Sequence, residues 1–299
     1  MHKARTTIVP ALLLALTHTA SALNLFTNPF APPKQTPISP ERRNFAVPTH
    51  PDLVALEAQL PVYEVPSFLS DEECAELVAA AEGGRFPPIP YGDKNRIFTG
   101  SKWAAAGTPE VAPFMERSRA LFGGVSSSRF EPITVTRYCE GQYQAEHLDA
   151  RLQHQVVRNA PYLKTGGQRI AQVIVYLQPP EDGGETKFFG PEFGGLAVRP
   201  ELGKALVFPV ASLDGEADER YLHSGEPVRA GTKWILGTWL MEVERTDADE
   251  MARAIDSLWE LAGTKPPPSR AAASGMGAGA GAKAKPAAKA KHVKKKKKR

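Results

Sequence analysis

From Ile170 to Leu177 the chain is a nearly continuous apolar run, bounded downstream by Pro179-Pro180 and Gly183-Gly184. A run this short and this apolar reads as a strand covered on both faces, so it demands a layer of structure above and below. The rest of the chain supplies both. Ile133, Val135 and Arg137 alternate with Thr134, Thr136 and Tyr138, a period of two, and Gly203 to Val210 and Trp234 to Val243 read as further strands. Upstream lies helical material. Ser70-Asp71-Glu72-Glu73 is a capping box, followed by Cys74, Leu77, Val78 and Ala81 at helical spacing. A second helix starts near Thr108-Pro109-Glu110, with Pro113 able to delay it, and turns Phe114, Met115, Ser118, Leu121 and Phe122 inward. Tyr91 to Trp103, polar and irregular, is either a candidate substrate loop or a plain connection. A last helix over about 247–262 presents Met251, Ile255, Leu258 and Ala262 on one side. The expected class is mainly β with flanking helices: a β-sandwich or jelly roll braced by N-terminal helices.

The expected organisation is a signal peptide over 1–22, a Pro-rich linker over 23–58, one domain over 59–262 and a disordered basic tail over 263–299. A basic start, an apolar stretch from Ile8 to Leu16 and the Ala20-Ser21-Ala22 ending give the secretory pattern. An uncleaved anchor, or a bipartite signal whose second part is the acid-poor stretch 23–49, remains an alternative. The net charge of +4 averages two unlike regions: residues 270–299 hold 11 Lys or Arg and no acid, leaving 26 basic against 33 acidic residues elsewhere. Such a tail suits anionic partners, but without aromatic residues it has no means of stacking on bases, so specific nucleic-acid recognition is not expected. Cys74 and Cys139 are too few for a disulfide scaffold and show no zinc spacing.

The chemistry lies in His147-Leu148-Asp149. On extended backbone the imidazole and the carboxylate point to one face, as two adjacent ligands of one metal require. His223, in Tyr221-Leu222-His223-Ser224-Gly225, can supply the third ligand if its segment pairs back against the first. Two histidines and one carboxylate on one side of Fe(II) leave positions open for substrates and dioxygen. Lys233, ten residues after His223, offers a cation for the far carboxylate of a chelating oxo-acid. His154 has no spacing partner and reads as a surface residue.

From about Leu60 to Val243 the chain resembles the prolyl 4-hydroxylase family of Fe(II)- and 2-oxoglutarate-dependent dioxygenases. The resemblance is carried by the helix start Phe68 to Cys74, Arg137-Tyr138 with Gly141-Gln142 before His147-x-Asp149, and Val175-Tyr176-Leu177. Gly183-Gly-Glu-Thr-Lys-Phe188, Pro200 with Gly203, and His223-x-Gly225-x-Pro227-Val228-x-x-Gly231-x-Lys233-Trp234 complete it. It implies a double-stranded β-helix (jelly roll) core braced by N-terminal helices, with Fe(II) held by His147, Asp149 and His223 and 2-oxoglutarate on Lys233 and Tyr138, helped by Thr186. It also implies dioxygen as co-substrate and ascorbate as a further requirement. A lysine at position 233 favours prolyl over lysyl hydroxylases. The implied reaction is 4-hydroxylation of proline in a peptide or protein, of the procollagen-proline type, coupled to decarboxylation of 2-oxoglutarate to succinate; the secretory pattern of residues 1–22 sets the expected location in the secretory pathway, at the endoplasmic reticulum lumen. Arg169 and Trp239 match positions that face the peptide. Departures fall on that side: Gln144 stands where a tyrosine is frequent, with Tyr143 beside it, Arg169-Ile170-Ala171-Gln172 replaces Arg-x-Ala-Thr, and Phe189 replaces a proline. The same chemistry on lysine or a small molecule, or a non-catalytic jelly-roll binding protein with an anion-binding tail, stays open as an alternative.

Overall fold

The computed structural model describes residues 48–57, 60–90, 98–150, 166–212 and 215–263. The expected signal peptide, most of the linker, the basic tail, His154 and the part of the candidate loop over 91–97 lie outside the described residues. In chain order the strands are β1 Val54–Ala55, β2 Tyr63–Val65, β3 Pro88–Ile89, β4 Ser101–Ala104, β5 Thr134–Cys139, β6 Gln144–His147 and β7 Arg169–Gln178. They continue as β8 Asp182–Gly183, β9 Thr186–Phe188, β10 Ala197–Val198, β11 Ala205–Pro209, β12 His223–Gly225, β13 Val228–Ala230 and β14 Thr232–Met241. The helices are α1 Asp71–Glu82, α2 Ala112–Leu121 and α3 Ala248–Leu261.

Eight strands form one sheet in the order β1-β2-β11-β7-β14-β5-β4-β3, and four form a second in the order β10-β9-β12-β6. β8 pairs with β13 alone, and every pairing is antiparallel. The sheet with helices on one side is the expected jelly-roll architecture. Its central strand is β7, the apolar run, and its two faces serve two cores. Val173, Val175 and Leu177 join Leu77, Phe114, Leu121 and Trp234 under the helices. Ile174 and Tyr176 point the other way, with Leu206, Phe208, Phe188 and Tyr221 between the sheets. Each such buried side chain contributes roughly 1.5–3 kcal/mol of transfer free energy.

Helix α1 starts where its capping box places it. Ser70 Oγ accepts from the Glu73 amide at 3.2 Å and Glu73 Oε2 accepts from the Ser70 amide at 2.9 Å. Cys74, Leu77 and Ala81 are buried as expected, while Val78 is half-buried. At the second helix, Pro109–Val111 forms a 3-10 turn before α2 takes over at Ala112. Both cysteines are free thiols, Cys74 buried and Cys139 partly so.

Three expectations need correction. Order begins before Leu60, because a turn at Pro51-Asp52 lets Val54–Ala55 pair with β2 while Leu53 and Leu56 pack on the cores. The end of the irregular stretch is strand: β4 pairs with β5, and Trp103 stacks on Trp234 with ring centroids 5.3 Å apart. At α3 the expected Ile255, Leu258 and Ala262 are half-buried, and Trp259, on the same face and missing from the expectation, is the buried member among the described side chains. Two-residue strands are below what periodicity resolves.

Candidate active site

The second sheet brings the three candidate ligands together. β6 and β12 are antiparallel neighbours with His223 opposite His147, and Asp149 follows two residues after β6 ends. Their ligand atoms all lie within 4.8 Å of one another. His147 Nε2 is 3.5 Å from Asp149 Oδ1 and His223 Nε2 is 3.6 Å from Asp149 Oδ2.

The backbone fixes which ring nitrogens face inward. His147 Nδ1 lies 2.8 Å from the Ala145 carbonyl and His223 Nδ1 lies 2.9 Å from the Tyr221 carbonyl. A carbonyl only accepts, so each Nδ1 carries the proton and each Nε2 presents a lone pair. That is the tautomer a metal takes, held by an outer hydrogen bond. Burial pushes His223 down to about 4, so its imidazole is neutral as ligation requires. Burial alone would raise Asp149, but the neighbouring His223 and His147 hold it below the ordinary carboxylate range. Asp149 Oδ2 is buried without a hydrogen-bond partner, which is costly unless a cation satisfies it. The donor set and the orphaned oxygen both fit Fe(II).

The main sheet holds the other half of the site. Lys233 on β14 stands opposite Tyr138 on β5, and its Nζ lies 5.5 Å from the centre of that ring and 5.6 Å from that of Tyr176. It donates to the Gly184 carbonyl at 2.6 Å, and burial pushes its pKa down to about 8 against the pull of Glu185. A buried ammonium in this state gains from an incoming carboxylate, the need that 2-oxoglutarate would meet. Thr186, on β9, lines the same cavity and shares a hydrogen bond of 2.9 Å with the Tyr176 hydroxyl. Gly184 at φ +71° lets the backbone approach: a Cβ there would meet the Lys233 Cδ at 3.0 Å.

The two residues assigned to the peptide side are placed differently from each other. Trp239 lines the cavity, and Arg169 packs on Trp239. Arg169 clamps Glu131 through two bonds of 2.8 and 2.7 Å, donates to the Asp149 carbonyl at 3.1 Å and lays its guanidinium 3.8 Å from the Trp239 ring centre. These contacts position Asp149 and Trp239.

Sequence reasoning missed Glu131, Lys102 and the bonding role of Gln144. Gln144 accepts from the Tyr138 hydroxyl at 3.0 Å, and its amide nitrogen lies 3.0 Å from His147 Nε2. It thus joins the co-substrate end of the cavity to the metal end, and its position in a strand three residues before a ligand was the available signal. Lys102 lines the cavity from β4, its ammonium 4.6 Å from the Phe98 ring centre and its pKa lowered by burial. Only the pairing of β4 with β5 reveals it.

Residues 133–241 match the model of the 2OG-Fe(II) oxygenase superfamily. A prolyl 4-hydroxylase homologue of Acanthamoeba polyphaga mimivirus is 31% identical over 179 residues, covering 59% of this chain and 72% of the relative. Prolyl 4-hydroxylase 5 of Arabidopsis thaliana is 30% identical over 213 residues, covering 63% of this chain and 70% of the relative. Among solved structures, a viral collagen prolyl hydroxylase from Paramecium Bursaria Chlorella virus-1, in a 2OG complex, aligns at 27% identity with a TM-score of 0.48. That alignment covers 60% of this chain and 94% of the other. With its ligand triad and these relatives, the chain belongs to the prolyl 4-hydroxylase family of Fe(II)- and 2-oxoglutarate-dependent oxygenases.

Proposed function

We propose that this protein hydroxylates the 4-position of proline in a peptide or protein, coupling it to conversion of 2-oxoglutarate and dioxygen to succinate and carbon dioxide. The observation that carries this reading is the placement, in one cavity, of three convergent ligand atoms and a buried lysine. His147, Asp149 and His223 would hold Fe(II), and Lys233 with Tyr138 would take the distal carboxylate of 2-oxoglutarate. When bound, the iron supplies the oxidising chemistry by activating dioxygen with the co-substrate. The protein does the rest. Two backbone carbonyls hold the imidazole tautomers, the Arg169–Glu131 pair holds Asp149 and Trp239, and buried walls limit water around the charged groups.

The finer assignment is to proline-rich secreted proteins of the procollagen type, with ascorbate as an accessory reductant. The secretory pattern of residues 1–22 supports an endoplasmic-reticulum setting, and the tail of 11 basic residues supports contact with anionic surfaces there. The test is succinate formation by the purified full chain with Fe(II), 2-oxoglutarate and proline-containing peptides, beside His147→Ala. Peptide-stimulated succinate that vanishes in the variant supports the reading. Succinate that no proline peptide stimulates would contradict the peptide substrate.

A further inference from the structure

Six buried side-chain polar atoms among the described residues have no hydrogen-bond partner, and three of them belong to residues lining the iron cavity. Asp149 Oδ2 is explained by the metal. The other two are Gln172 Oε1 and Trp239 Nε1, and the metal explains neither.

These two residues are direct cross-strand partners, Trp239 on β14 opposite Gln172 on β7. Directly opposed side chains on one face of an antiparallel pair have Cβ atoms about 4.5–5.5 Å apart. Gln172 is only 8% exposed. The indole is held by the Arg169 guanidinium on its face, and Arg169 in turn by Glu131. A fixed N–H donor thus stands beside a buried acceptor, both on residues of the cavity wall. Leaving both unsatisfied is unfavourable, so the pair gains from a ligand that carries a donor and an acceptor side by side. One residue of an extended peptide is such a group, because its own N–H and C=O point to the same edge.

We propose that Gln172 and Trp239 form a docking point for the backbone N–H and C=O of one extended substrate residue, with Gln172 as the residue that sets specificity. Gln172 Oε1 accepts from the substrate N–H, and Trp239 Nε1–H donates to a substrate carbonyl. This rests on the peptide reading above and adds a restriction to it. Proline has no N–H, so the amide recognised by Gln172 belongs to a neighbour of the target proline, and that neighbour is not itself proline. A site built to bond an N–H discriminates strongly against an analogue that lacks it, because its own buried acceptor is then left unpaired.

The experiment uses the full chain with Fe(II), 2-oxoglutarate and alternating Ala-Pro peptides, each N-methylated at a different single backbone amide. Hydroxyproline formation gives kcat/KM for each peptide. Wild type should lose roughly 10–100-fold at one methylated position. In Gln172→Met and Gln172→Leu that loss should shrink to about threefold or less, and Gln172→Glu, which keeps an acceptor, should retain it. Wild type tolerating methylation everywhere, or Gln172→Met and Gln172→Leu discriminating as sharply as wild type, overturns the inference alone. Succinate formation with no peptide of the series hydroxylated overturns the peptide reading, and this inference with it.

Discussion

Replacing Lys233 with methionine should make the metal-free, co-substrate-free protein more stable while removing its affinity for 2-oxoglutarate. The ammonium is 3% exposed, and burial lowers its pKa from 10.5 to about 8. At about 1.4 kcal/mol per unit, keeping the charge there disfavours the fold by about 3 kcal/mol. The hydrogen bond to the Gly184 carbonyl offsets about 1 kcal/mol or a little more, which the methionine forfeits. The net gain for Lys233→Met at pH 7 is about 1–2 kcal/mol, or ~3–6 °C in Tm for a fold of this size. The sign with pH follows from linkage. The folded pKa is depressed, so the penalty is fully present below about pH 8 and disappears as pH rises toward the unfolded value of 10.5. The variant's advantage should therefore fade over that window and reverse once the lysine is neutral and still hydrogen-bonded. Urea denaturation of both proteins in a chelating buffer, repeated from pH 6 to 10.5, measures the difference. With Fe(II) under dioxygen-free conditions, saturating 2-oxoglutarate should stabilise wild type by about 2.7 kcal/mol at a hundredfold excess over Kd, and the variant hardly at all. A variant less stable than wild type at pH 7, or a difference independent of pH, would refute the reasoning.

Other outcomes follow from the same geometry. His223→Ala should keep its fold but lose roughly 100-fold or more in Fe(II) affinity, read by metal titration, since one of three ligands is gone. Glu131→Gln should lower kcat/KM through looser placement of Asp149 and Trp239, and its effect should be strongly non-additive with Arg169→Lys in a double-mutant cycle. Gly203→Ala should destabilise by about 2 kcal/mol or more in urea denaturation. Its φ is +72°, and a Cβ would collide with the Leu69 carbonyl oxygen.

How much of this was legible depended on the length scale of each signal. The eight-residue run Ile170–Leu177 announced a strand buried on both faces, and the structure places it fourth of the eight strands of the main sheet, between β11 and β14, with side chains in both cores. The capping box at Ser70 marked the start of α1 because its hydrogen bonds close within four residues. The His147–Asp149 spacing worked for the same reason, as extended backbone alone sets their shared face. His223 needed a pairing partner, and the register that puts it opposite His147 is a tertiary fact. Lys233 and Tyr138 became partners only through the β14–β5 register. Lys102 and Glu131 went unseen because neither carries a local pattern: one reaches the cavity from the short strand β4, between β5 and β3, and the other acts through Arg169. Arg169 was placed at the peptide from family resemblance, and its contacts with Glu131 and the Asp149 carbonyl, which no local pattern shows, come only from the fold. Val54–Ala55 was hidden inside Pro-rich sequence because two residues show no period.

The most direct test of the central claim is to run the reaction under isotopically heavy dioxygen and locate the label by mass spectrometry. The account predicts one heavy oxygen in a proline ring of the peptide and one in succinate per turnover, with both absent in His147→Ala. Label in succinate but never in the peptide, or hydroxyproline formed equally by the variant, would contradict it.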